Sequence, residues 1–107
     1  MKINIMKESI PYITDVTIAG TTFQFEFTYN SYDKRVYVTL YDIENNLIYP
    51  NEPILFGIPL WFNKLVDEKG NFNKKYPQKY IIPNTLDRKA VKIDYENIDQ
   101  IELLVEE

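Results

Sequence analysis

Between Thr22 and Asn30 polar and aromatic residues alternate without a break, with Phe23, Phe25, Phe27 and Tyr29 at every second position. A period of two places all four rings on one face of a β-strand and the polar groups on the other. Arg35 to Asp42 follows the same rule, with Val36, Val38 and Leu40 on one side and Tyr37, Thr39 and Tyr41 on the other. Both sides of this second segment are partly apolar, which predicts a central strand covered on both faces. Asn30 to Lys34, between the two, is a polar connection suited to a longer hairpin loop. Glu44-Asn45-Asn46 predicts a tight turn into Leu47-Ile48-Tyr49, because asparagine tolerates the positive φ of hairpin turns. The order from Ala19 to Tyr49 is therefore a three-stranded meander.

Upstream, Ile3 and Ile5 alternate with polar neighbours and predict a short first strand; Pro11 interrupts it. Tyr12 to Ile18 places Thr14, Val16 and Ile18 opposite Ile13, Asp15 and Thr17, and Ala19-Gly20 marks a turn. Downstream, Pro50, Pro53 and Pro59 lack ladder donors, so this part lies at a sheet edge or in an irregular crossover, with Gly57 allowing a bend. Lys64 to Tyr80 is polar and carries a turn signal at Glu68-Lys69-Gly70-Asn71. Ile81-Ile82 predicts a short buried strand ended by Pro83, and Asn84 to Lys89 a loop. Ala90 to Tyr95 alternates again, with Val91, Ile93 and Tyr95 together; Glu96 to Asp99 is a turn or single helical turn before a last strand, Ile101 to Val105. No window sustains a helical apolar period over three turns. The expectation is one all-β domain over residues 1–107: a small antiparallel barrel or sandwich with that meander and a long irregular crossover.

Composition removes much chemistry. The 107 residues contain no cysteine and no histidine. Disulfides, the common zinc sites, and Ser-His-Asp or Cys-His catalysis are thereby excluded, and neither metal nor cofactor is expected. The net charge of −4 is a poor match for duplex DNA, where affinity comes from neutralising phosphates. No run of about 18 apolar residues is present to predict a membrane span. Met1 to Lys7 is too short and polar to be expected as a signal peptide.

Four groups of residues are candidates for function. Asp15, Glu26, Asp42 and Glu52 supply carboxylates for acid–base chemistry, but all lie on strands or turns where solvated acids are ordinary. Phe72 to Tyr80 holds Lys74, Lys75 and Lys79 among Phe72, Tyr76 and Tyr80, with no acid. Rings among lysines suit single-stranded nucleic acid, an acidic protein neighbour, or simply a soluble loop; overall acidity favours the loop. The Phe23 to Tyr29 stripe reads as core, whereas Trp61, after Pro59 on an expected surface crossover, is placed to anchor a protein interface. Ile3 and Ile5 at one end and Ile101 to Val105 at the other offer edge strands that join a neighbour or pair with each other. A ligand groove lined by Tyr37, Tyr41 and Trp61 is the corresponding expectation for a stand-alone binding module.

With these residues in view, the chain resembles the small baseplate plug proteins of contractile-tailed phages. The resemblance rests on ordered motifs: Ile10-Pro11-Tyr12, then Gly20 to Asn30, then Leu40-Tyr41-Asp42, a turn, Leu47-Ile48, and Gly57-Ile58-Pro59-Leu60. A late apolar strand ending in acidic residues completes it. The chain departs from the pattern at Asn45-Asn46, where an Asp-Gly type turn is expected, and in a longer, more polar Lys64 to Tyr80 region. The resemblance implies a structural part of the central baseplate, made in the host bacterial cytoplasm and carried in the virion tail. Its implied partners are the baseplate hub, the tail-tube initiator and neighbouring copies of itself. It implies no catalysis, cofactor, small-molecule substrate or membrane, and a contractile bacteriocin is an equally good setting. From the residue reading above, the candidate protein interface comprises Trp61, Lys74, Lys75, Tyr76, Lys79, Tyr80, Ile3 and Ile5.

Overall fold

The alternating segments do become strands. The computed structural model describes residues 1–106, and among these seven strands form two antiparallel sheets. Strands β2 (Tyr12–Ile18), β3 (Thr21–Tyr29), β4 (Val36–Asp42) and β5 (Leu47–Pro53) follow one another as a four-stranded meander. The expected three-stranded meander is thus extended by β2. Strands β1 (Lys2–Asn4), β6 (Ile81–Thr85) and β7 (Ile101–Val105) form the second sheet in the order β1-β7-β6. The two sheets stay separate rather than closing into a barrel, so the sandwich alternative describes the chain.

The period-two pattern decides what the sheets bury. Phe23, Phe25 and Phe27 on β3 stand level with Val16 on β2 and with Val38 and Leu40 on β4 through the register Val16↔Phe23, Phe25↔Leu40 and Phe27↔Val38. Ile3, Ile81, Ile101 and Leu103 come from the other sheet into the same core. Tyr29, the fourth ring, lies beyond this cover and is exposed; it packs on Tyr95 at 4.5 Å between ring centres. The outer face of β4 is only partly covered: Thr39 is buried, whereas Tyr37 and Tyr41 are half-buried.

Local chemistry sets the turns. Ala19 (φ 51°) and Gly20 (φ 82°) form a two-residue hairpin loop with both centres at positive φ, the handedness that matches strand twist. Asn45 (φ 68°) takes the positive-φ position of the turn where the family-like pattern expects an Asp-Gly pair at 45–46. Asp42 Oδ1 accepts the Glu44 and Asn46 backbone N–H groups there, each at 2.9 Å.

Two segments differ from expectation. Pro83 does not end its strand but sits inside β6. The bonds from Glu106 N–H to Tyr80 O and from Leu86 N–H to Gln100 O show that even-numbered residues of β6 face β7. The nitrogen of Pro83 therefore points away from the ladder, where no donor is needed. Ala90 to Tyr95 is not a strand. Asn97 supplies the partners that a neighbouring strand would have supplied: its Nδ2 donates to Lys92 O at 2.9 Å, and its Oδ1 accepts from Asp94 N–H at 3.0 Å. Ile93 still reaches the core, so the apolar spacing was real but served a loop.

The crossover from β5 to β6 runs through the short helix α1 (Phe62–Leu65). Trp61 precedes it in the left-handed region (φ 56°), a conformation that turns the indole inward. Its ring meets Phe25 edge-on, with centres 5.4 Å apart and planes at 84°. Trp61 is 2% exposed, which corrects its expected role as a surface anchor. Its indole N–H is buried without a partner among the described residues, a cost on the order of 1–3 kcal/mol that the ring's packing must exceed.

Replacing Ala19 by Asn is expected to raise stability by about 0.5–1 kcal/mol in urea unfolding, because Asn tolerates the left-handed region. Trp61→Ala is expected to cost about 3–5 kcal/mol. Trp61→Phe is expected to cost clearly less in the same titration, since it removes the unpaired N–H along with the lost volume.

Candidate functional site

Four strand edges bound the two sheets, and the chain treats them differently. The outer edge of β6 is covered by the crossover: Gly57 N–H donates to Pro83 O and Leu60 N–H to Ile81 O, each at 2.9 Å. Edge strand β5 carries Pro50 and Pro53 and irregular register against β4, features that discourage further pairing. Among the described residues, strands β1 and β2 have no such cover. Val105 N–H donates to Met1 O, so odd residues of β1 face β7, and Lys2 and Asn4 turn their backbone groups outward. The two-residue hairpin places Ile18 and Thr21 in a bonded pair, so Ile13, Asp15 and Thr17 present their backbone groups at the free edge of β2.

These two open edges line the same groove, of about 390 Å³, between the sheets. Its rim includes Met1 and Met6, both more than half exposed, and Ile13 on β2 is exposed to the same degree. Tyr12 holds one end, its hydroxyl oxygen accepting the Met6 N–H at 3.0 Å. Strand β2 is seven residues long with Asp15 as its one charge and no proline inside it. The side chains of Ile3 and Ile5 belong to the core, so β1 offers a neighbour its backbone edge and not its apolar faces. The two chain ends pair with each other: Lys2 Nζ lies 3.5 Å from the buried Glu102 carboxylate on β7.

The Phe72 to Tyr80 cluster is divided by the fold. Asn73 closes a turn, with Tyr76 N–H donating to its carbonyl oxygen, and Gln78 Nε2 bonds to the carbonyls of both Asn73 and Tyr76 at 2.8 Å. Lys74 and Lys75 emerge on one side, beside the β4–β5 turn and Lys64 of α1, where a groove of about 590 Å³ opens. Lys79 and Tyr80 lie on another side, near Glu106, with Tyr80 packed on Phe72 at 5.7 Å. Tyr76 is buried. The aromatic platform expected for nucleic acid is therefore absent: one ring is in the core and two pack on each other. Lys64, Ile43 and Leu47 had no signal as site residues, because only the tertiary fold brings them to Lys74 and Lys75.

The expected ligand groove of Tyr37, Tyr41 and Trp61 does not form either. Tyr37 and Tyr41 lie on the outer face of β4 and Trp61 on the core side. Each tyrosine hydroxyl is engaged, Tyr37 with Asp33 and Tyr41 with Glu26 Oε1 at 3.0 Å. Those bonds raise both phenol pKa values, and the Tyr37 bond lowers that of Asp33. The four candidate acids are dispersed. Asp15 lies at the β2 edge, Glu26 faces outward on β3, and Asp42 is held below its ordinary pKa by the Asn46 backbone. Glu52 sits opposite Val38 on the core side of β5 and accepts the Trp61 backbone N–H at 2.6 Å. Burial raises its pKa more than that bond lowers it. Burial also raises the pKa of Tyr76, with Tyr49 and Glu52 adding to the effect.

A family model described as cyanophage baseplate Pam3 plug gp18 matches residues 1–106. No curated protein matches the chain.

Glu52 makes a pH-dependent contribution whose sign follows from its raised pKa. Its folded-state pKa lies above the unfolded value, so the protein gains stability from its protonation at low pH and loses that gain as pH rises past 4.5 through the folded value. Glu52→Gln is expected to become more stable relative to the parent as pH rises from 4 to 7. Parallel urea titrations of the two proteins at several pH values would show a constant difference if Glu52 were not buried in this way.

Proposed function

Since this chain belongs to the cyanophage baseplate plug family, a set of structural tail-baseplate proteins, we propose that it occupies the central baseplate of a contractile tail, near the hub and tube initiator. In this reading it acts by protein–protein assembly and carries no catalytic step. The observation that supports it best is the uneven treatment of the sheet edges. Two edges are blocked, one by the crossover and one by prolines, while β1 and β2 are left open beside one groove. An open seven-residue strand with a single charge is an aggregation hazard in a free protein and a joining device in an assembly. An extended strand from the hub, the tube initiator or a second copy would satisfy the backbone groups of Ile13, Asp15 and Thr17.

The test is quantitative mass spectrometry of density-purified particles carrying either the parent chain or Asp15→Pro. Residue 15 points its N–H outward, so proline there blocks docking without removing an internal ladder bond. The parent chain is expected in fixed ratio to the hub protein. The variant is expected to keep its circular dichroism spectrum and to be depleted about tenfold or more, equivalent to at least about 1.4 kcal/mol of binding. Absence of the parent chain from intact particles would end the assembly reading. Undiminished incorporation of the variant would remove β2 from the interface.

A further inference from the structure

The second groove, of about 590 Å³, has a charge opposite to that of the chain as a whole. Lys64, Lys74 and Lys75 line it, all exposed, and among the described residues none of the three has an ion-pair partner. Asp42, the acid that lines the groove with them, balances one of the three charges and leaves the lysines in excess; its oxygens accept the Glu44 and Asn46 N–H groups and Asn46 Nδ2, the last at 3.0 Å, and not a lysine. The opposite wall is aliphatic: Ile43 is 52% and Leu47 57% exposed, with Ile48 half-buried behind them. Unpaired cations beside exposed aliphatic groups match a partner that carries carboxylates and one apolar side chain. They are a poorer match for single-stranded nucleic acid, which combines a cationic groove with free aromatic faces for base stacking; here Tyr76 is buried and Tyr80 lies elsewhere.

We infer that this groove docks an acidic peptide segment of a neighbouring tail protein. Its carboxylates meet Lys64, Lys74 and Lys75, and an aliphatic or aromatic side chain rests between Ile43 and Leu47. The inference rests on the assembly reading above and gives the partner's chemistry at a surface separate from the open edges. The groove is built from three stretches distant in sequence: the start of β3, the β4–β5 turn, and residues 64–76. Its electrostatic share makes docking salt-sensitive, since exposed charges are screened over roughly 8–10 Å at physiological ionic strength.

The experiment uses the isolated full chain and a short capped peptide with glutamates around a central Leu-Phe pair. The same peptide with glutamines and an oligothymidylate serve as comparisons. Amide shifts on titrating the acidic peptide are expected to be confined to residues 43–48, 64 and 73–76 and to weaken with added salt. The double variant Lys74→Glu, Lys75→Glu is expected to lose about tenfold or more in affinity. Leu47→Ser is expected to lose several-fold, and both surface changes leave the rest of the amide spectrum in place. No shifts, shifts elsewhere, equal binding of the glutamine peptide, or tighter binding of oligothymidylate would each overturn the inference. Such a result, with the protein still present in purified particles, removes the groove and leaves the assembly reading standing.

Discussion

Everything in this fold is arranged around the need to cover one aromatic strand face. Phe23, Phe25 and Phe27 project from β3 on the same side, and all are buried. Each ring removes on the order of 150–250 Å² from water, a gain that no other element of so small a chain can match. The neighbouring strands β2 and β4 flank the rings but cannot cap them. Cover has to come from a second layer, and the chain assembles it from its two ends, with β1, β6 and β7 contributing isoleucine, leucine and valine. Trp61 closes the remaining gap from the crossover.

That requirement accounts for the costs the chain carries. Trp61 takes up a left-handed backbone and leaves its indole N–H without a partner among the described residues, with its ring against Phe25. Glu52 sits on the core side of an edge strand, where burial disfavours its charge, yet it supplies the acceptor for the Trp61 backbone. The two features are coupled: the carboxylate holds the residue whose ring fills the core. The resulting structure is closely packed at its centre and keeps its unpaired backbone edges and its cationic groove at the periphery.

The periphery is where a baseplate plug protein has to work. Sheets that are protected on two edges and open on two others present direction as well as adhesion, because a partner strand adds on one side only. The lysine-lined groove lies on a different part of the surface from the open edges. On the assembly reading proposed above, two separate docking surfaces would let one subunit bridge different neighbours, which a single self-complementary patch cannot do.

The all-β class, the strands from Tyr12 to Tyr49 and the last strand were legible in the sequence, because period-two alternation is a local property of the backbone. The turns at Ala19-Gly20 and Asn45 were legible for the same reason, since positive φ is a demand on individual residues. Ala90 to Tyr95 misled: its alternation was genuine, but Asn97 satisfied its backbone and no partner strand arrived. Trp61 misled because a ring's direction depends on the backbone of its own residue, and a left-handed turn there leaves no periodic trace. The tertiary structure alone decided which edges stay open, since that depends on where the crossover and the prolines land. It alone brought Lys64 and the β4–β5 turn to Lys74 and Lys75, and it separated Lys79 and Tyr80 from them. Periodicity determines which face of a strand is apolar; which surfaces meet is set by the competition among distant segments to cover that face.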